Sequence, residues 1–256
     1  MPYIVIAFGL ILGSFFNVVI FRLPNNQSIL TPGSHCPKCS EPVRAYDNIP
    51  ILSYIFLRGK CRFCGKKISL RYPFIEALTA FLFWLSFYHV GFNLQLIPAI
   101  FLVSICLVVT FIDLDYYIIP DRITYPGMIL GIGFSLLPGG IDIWQSLIGF
   151  LAGGVTLYII AIVGDFVFKK ESMGGGDIKL AALIGAFVGW QGVLLTLVIS
   201  SFVGAVGGML MLALLSRDDE TRRIPYGPFL AIGAIISYFW GNDIIGLYLS
   251  YIAGFR

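Results

Sequence analysis

The sequence predicts an all-α polytopic membrane protein with about eight transmembrane helices and one small cytosolic loop. Three observations lead there. The 256 residues are 58% hydrophobic and only 12% charged, with a mean hydropathy of +0.89, a balance that multi-span membrane proteins need and soluble cores do not. Apolar runs of spanning length recur along the whole chain. Lys and Arg are confined to a few stretches between those runs. The net charge of +3 gives no ground for nucleic-acid binding.

The runs lie roughly at 3–23, 73–90, 96–112, 123–137, 143–168, 178–190, 193–215 and 228–251. The first lacks a basic stretch before it and a small-residue cleavage site after it, so it is expected to be a retained span, not a signal peptide. The fourth and sixth are short and are expected to be tilted or broken helices. Glycines four apart recur as Gly127/Gly131, Gly149/Gly153, Gly185/Gly189 and Gly204/Gly208. Such small faces allow close helix packing in lipid, although glycine is common in membrane helices anyway.

Basic residues set the orientation. With Arg22 at the cytosolic end of the first span, the loops at 22–72, 114–122, 169–179 and 216–226 face the cytosol. Every Lys and Arg except Arg256 falls in or beside them. Both termini are then expected outside the cytosol.

Residues 24–72 form the only sizeable polar segment. It opens with turn residues and carries Cys36-Pro-Lys-Cys39 and Cys61-Arg-Phe-Cys64, 21 residues apart. Two such pairs can aim four thiolates at one tetrahedral Zn2+ ion, which gives a zinc-stapled loop. A reducing cytosol disfavours disulfides, and a loop this short has little core of its own, so a metal staple makes physical sense. His35 adjoins Cys36 as a possible competing ligand. Cys106, mid-span, is expected to be a buried small hydrophobe.

Several polar residues sit at or within the spans. Asn17 and Glu76 are either bundle glue or substrate contacts. Asp113 follows directly on the third apolar run, at a helix C-terminus that disfavours negative charge. Asp115 would point to another face, and Asp121 suits the cap of the fourth span. Asp177 ends Met173-Gly-Gly-Gly-Asp177 at the mouth of the sixth run. The plain reading is a flexible loop whose acid caps the helix, with glycines offering positive-φ freedom. Under the topology above, however, Asp113 and Asp177 share one side and one depth. Two carboxylates sharing a proton and a water are the machinery of an aspartic protease. Neither a serine-centred motif nor His-Glu-x-x-His is present. The alternative is a transporter or channel with a zinc-stabilised loop, its acids serving as ion or proton sites.

The ordered set Gly13-Ser-Phe-Phe-Asn17 through Pro24, the two cysteine pairs, Asn48-Ile-Pro50, Arg71-Tyr-Pro73 with Glu76, Ile112-Asp-Leu-Asp115, Ile119-Pro-Asp121, Gly174–Asp177 and Ile224–Ala231 resembles the prepilin peptidases, which are leader peptidases and N-methyltransferases. The resemblance covers almost the whole chain. It implies cleavage of the basic leader of type IV prepilins or pseudopilins after a glycine, at the cytosolic face of a bacterial inner membrane. Methylation of the new N-terminus by S-adenosylmethionine follows. Asp113 and Asp177 match the family's catalytic aspartates, and the cysteine loop goes with methyl transfer. Gly59, Lys60 and Glu76 are candidates for that second reaction from their motif positions. The expected division is 1–23 as the first span, 24–72 as the zinc loop and 73–256 as the peptidase domain, with prepilins or pseudopilins and the lipid bilayer as partners.

Overall fold

The computed structural model describes residues 1–170, 173–214 and 224–253, with only the backbone for 211–214 and 253. Residues 216–223 of the last basic loop, Glu171 and Ser172, and Arg256 lie outside the described residues. The described residues form eight α-helices and no strands: α1 (Pro2–Arg22), α2 (Leu52–Phe56), α3 (Arg71–Val90), α4 (Leu96–Tyr116), α5 (Asp121–Phe134), α6 (Ile143–Phe168), α7 (Gly175–Leu214) and α8 (Gly227–Ala253). All eight apolar runs are helical over most of their described residues. Six helices are long and apolar enough to cross a membrane. The count differs from eight for two reasons. The fourth run is the 14-residue α5, and the sixth and seventh runs join in the 40-residue α7.

The join in α7 is broken at Gly189, where φ is 73° and ψ is 178°, a conformation open to glycine and costly for other residues. A break in a helix frees backbone carbonyls that need donors. Ser146 Oγ donates to Ala186 O at 2.7 Å, and Ser237 Oγ donates to Gly192 O at 2.6 Å.

Two compact units are present, Met1–Leu96 and Ile97–Arg256. In the first, α1 packs on α3. A Cβ on Gly9 would lie 2.7 Å from Ala80 Cα, and one on Gly13 would lie 2.7 Å from Glu76 Cα. Asn17 bonds across the bundle, its Nδ2 donating to Tyr72 O at 3.3 Å as well as to Gly13 O of its own helix at 3.1 Å. Arg22 does more than mark a membrane boundary. It is buried and donates to Ser28 O at 3.0 Å and Gly33 O at 3.2 Å, tying down the start of the polar loop.

In the second unit the core joins Leu102, Cys106 and Val109 of α4, Leu157 of α6, Leu180 and Ile184 of α7, and Leu230 of α8. Cys106 is buried there, as expected. Glycine is decisive between α6 and α7. A Cβ on Gly149 would lie 2.2 Å from Gly185 O, and one on Gly185 would lie 2.0 Å from Gly149 O. Large side chains such as Ile159, Ile162 and Phe166 stand exposed on α6, as a lipid-facing surface requires.

This packing makes a prediction. Gly149→Ala should destabilise the protein by about 1–3 kcal/mol through forced separation of the helices. Gly133→Ala, where a Cβ meets nothing within 4 Å, should be neutral or stabilising by up to ~1 kcal/mol. Thermal unfolding in detergent checks both, and equal midpoints for the two variants would remove the packing argument.

Candidate active site and cysteine cluster

Asp113 lies near the end of α4 and is only 5% exposed, whereas Asp115 is exposed. The two residues point to different faces because a helix turns about 200° over two positions. Gly227, the first residue of α8, donates its N–H to Asp113 Oδ2 at 2.9 Å. A Cβ there would lie 2.7 Å from the same oxygen. The N-terminus of α8 therefore places its N–H against the carboxylate, and only glycine leaves the room.

Asp177 sits in the first turn of α7, with its N–H donated to Gly174 O at 3.1 Å. It is not the cap itself, because the helix starts at Gly175. Asp177 Oδ1 is buried without a hydrogen-bond partner among the described residues, and Asp113 is near enough for its charge to act on it. None of the three glycines before it has positive φ, contrary to expectation. What they supply is space. A Cβ on Gly174 would lie 3.3 Å from Asp177 Oδ2, one on Gly176 would lie 2.9 Å from Ile119 Cβ, and Gly175 is open.

Asp121 also differs from expectation. The cap position is Pro120, and Asp121 stands in the first turn of α5 without a capping bond. Its carboxylate instead accepts from Lys179 Nζ at 2.6 Å, which lies over the Tyr125 ring at 5.2 Å. That ion pair joins the first turns of α5 and α7, two residues beyond Asp177.

In the first unit the four predicted cysteines converge, their sulfurs all within 4.8 Å of one another. Cys36 Sγ lies 3.9 Å from Cys64 Sγ, and Cys39 Sγ lies 4.0 Å from Cys61 Sγ. Tetrahedral zinc with its usual Zn–S bonds spaces sulfurs by about 3.8 Å, so the cluster fits that ion. The N–H groups of Lys38 and then Cys39 point at the Cys36 sulfur and favour its thiolate, the form that binds metals. His35 stands apart from the cluster, with Nδ1 3.2 Å from Gly33 O.

The two pairs sit in matching hairpins. Cys36 N–H donates to Glu41 O, Ser40 N–H to Cys36 O and Val43 N–H to Ser34 O. The same three bonds recur 25 residues on, as Cys61 to Lys66, Gly65 to Cys61 and Ile68 to Gly59, all at 2.8–2.9 Å. Arg62 joins the second hairpin to Asp47 through a two-point ion pair of 2.8 and 2.6 Å, and those bonds hold the Asp47 carboxyl below its usual range.

Between the hairpins and the ends of α1 and α3 lies a cavity of about 390 Å³. Ser14, Asn17, Tyr54, Tyr72 and Glu76 are among its walls. Gly59 adopts φ +66°, and a Cβ there would lie 2.8 Å from Tyr54 Oη. It lets the loop close over a ring of the cavity wall. Lys60 is exposed and pairs across the second hairpin with Lys67.

Comparison with known proteins follows the same division. Residues 7–90 match the bacterial peptidase A24 N-terminal domain, and residues 100–209 match the type IV leader peptidase family. A prepilin leader peptidase/N-methyltransferase of Aeromonas salmonicida is 37% identical over 274 residues, covering 97% of this chain and 94% of its own. Proteins of the same description from Myxococcus xanthus and Pseudomonas aeruginosa are 43% and 35% identical. They cover 86% and 98% of this chain, and 67% and 94% of their own. The chain belongs to the type IV leader peptidase family. No solved structure matches it.

Family membership sets aside the transporter reading. The structure brings Asp177 within reach of the Asp113 charge and gathers all four cysteines. It separates the candidates for methyl transfer, because Glu76 lines the cavity while Gly59 and Lys60 do not. Sequence reasoning passed over Gly227 as a partner of Asp113. It stood inside a recognised motif, but only the fold brings residues 114 positions apart into contact.

Proposed function

We propose that Asp113 and Asp177 form the catalytic pair that cuts prepilin or pseudopilin leaders. The observation that carries this is the pairing of a buried, N–H-anchored carboxylate with a second carboxylate whose Oδ1 is unpartnered. The pair shares one proton and holds a water. The ionised member takes a proton from that water as it attacks the scissile carbonyl. The protonated member hydrogen-bonds the carbonyl oxygen, and the proton taken from water passes to the leaving amine as the C–N bond breaks. Gly174 and Gly175 keep the approach to Asp177 free of side chains, so an extended substrate backbone can reach it. A prepilin's glycine cut site opens its helix readily for that purpose. The Lys and Arg distribution supports a cytosolic cut and termini on the outer side of a bacterial inner membrane.

The cysteine loop and its cavity serve methylation of the new N-terminus. Cys36, Cys39, Cys61 and Cys64 would hold a structural zinc ion, whose binding stabilises the loop that walls the cavity. S-adenosylmethionine, when bound, supplies an electrophilic methyl group. The amine lone pair forms the N–CH3 bond, the S–CH3 electron pair stays on sulfur, and the nitrogen loses a proton to water. Glu76 would contribute to the site directly. Gly59 and Lys60 would contribute through the loop that closes over Tyr54.

Asp113→Asn and Asp177→Asn should each lower prepilin cleavage by at least about 10²-fold at normal membrane levels. Persistent cleavage in either variant would sink the assignment. Gly227→Ala should lower kcat by about 10- to 100-fold through displacement of the Asp113 carboxylate, measured on the same substrate. The Cys36→Ser/Cys61→Ser variant should lose its zinc and yield cleaved but unmethylated pilin. Metal analysis and a mass spectrum of the mature N-terminus read these, and unchanged zinc content would refute the metal site.

A further inference from the structure

The cavity of the first unit contains a carboxylate that the peptidase reading leaves unused. Glu76 is only 7% exposed and lines the cavity. Its partners are the Ile51 N–H, at 2.7 Å, and the Ser14 side chain, neither of them basic, while Lys38, Arg62, Lys66 and Lys67 line other parts of the cavity. A buried carboxylate without a cation is expensive. The backbone beside it is strained as well. Ile51, a β-branched residue, adopts φ +59°, a region that such side chains avoid. Strain of this kind is found at ligand sites, where the surroundings hold it in place. Here the Glu76 carboxylate is the acceptor that holds the strained N–H. Tyr54, Phe63 and Tyr72 add aromatic faces to the same cavity, and such faces also attract cations. The volume of about 390 Å³ lies within the range of small-molecule sites.

We propose that this cavity binds the methyl donor and that Glu76 is the anion that recognises its positively charged sulfonium. The proposal rests on the methyltransferase reading above and adds to it a means of telling donor from spent product. The donor carries its positive charge at sulfur, and the thioether left after transfer is neutral there. A fixed, buried carboxylate therefore favours the donor. It loses that attraction once the methyl group has left, which promotes release of the product. Ile51 and Ser14 are positioning residues, which set where the carboxylate points.

The test uses the full chain in detergent micelles and equilibrium dialysis with radiolabelled S-adenosylmethionine and S-adenosylhomocysteine. The wild type should bind the sulfonium compound more tightly than the thioether. Glu76→Gln should weaken S-adenosylmethionine binding by at least about tenfold and change S-adenosylhomocysteine binding by less than about twofold. Glu76→Asp, which keeps the charge, should recover part of the loss. Equal loss for both ligands, or no loss for either, overturns the charge role. So does a wild type that does not discriminate, and that measurement stands even where a variant fails to fold. A wild type that binds neither ligand would overturn the methyl-transfer reading itself.

Discussion

The end of α4 is a poor place for a negative charge, because helix carbonyls already gather there. Asp113 is nonetheless buried there. The group that makes this tenable comes from α8, whose first N–H donates to the carboxylate at 2.9 Å. A helix N-terminus suits an anion both through its unpaired N–H groups and through its dipole. The contact demands glycine at 227, since a Cβ would stand 2.7 Å from the carboxylate oxygen. One hydrogen bond thus ties the end of α4 to the start of α8 and sets where Asp113 stands relative to α7.

Glycine shapes the rest of the second unit by the same logic of space. Gly149 and Gly185 let α6 and α7 approach until their backbones touch. Gly189 breaks α7 at positive φ, and the hydroxyls of Ser146 and Ser237 satisfy carbonyls near the break. Both hydroxyls are buried, and a buried carbonyl left without a donor costs about 1–3 kcal/mol. The first turn of α7 is held separately, by Lys179 on Asp121. Asp177 is therefore presented from a braced helix end and not from a loose loop.

The first unit is organised around a different carboxylate. α1 and α3 meet through Gly9 and Gly13, which brings Ser14 beside Glu76. Two hairpins of one design then close over those helix ends, with their four sulfurs within 4.8 Å of one another and Arg62 tying the second hairpin to Asp47. The cavity exists because the hairpins are held at that distance. A metal staple suits such a segment, where little apolar surface is available to do the same work.

Much of this was legible in the sequence, because it depends on local pattern. Apolar length determined the helices, and C-x-x-C spacing determined the cysteine cluster. Basic loops and motif order singled out Asp113 and Asp177. The places where the sequence reading fell short all depend on contacts between distant residues. Gly174–Gly176 read as flexible, yet none has positive φ, and what they provide is room for Asp177 and Ile119. Asp121 read as a cap, and Lys179 claims it instead. Asn17 and Glu76 could not be told apart by composition. Packing gave Asn17 two backbone carbonyls and gave Glu76 the Ile51 N–H, both in the wall of one cavity. The sequence by itself determined which groups the protein owns and which apolar runs become helices. Tertiary structure alone decided which of them meet, because a side chain's partners depend on helices that the chain order does not make neighbours.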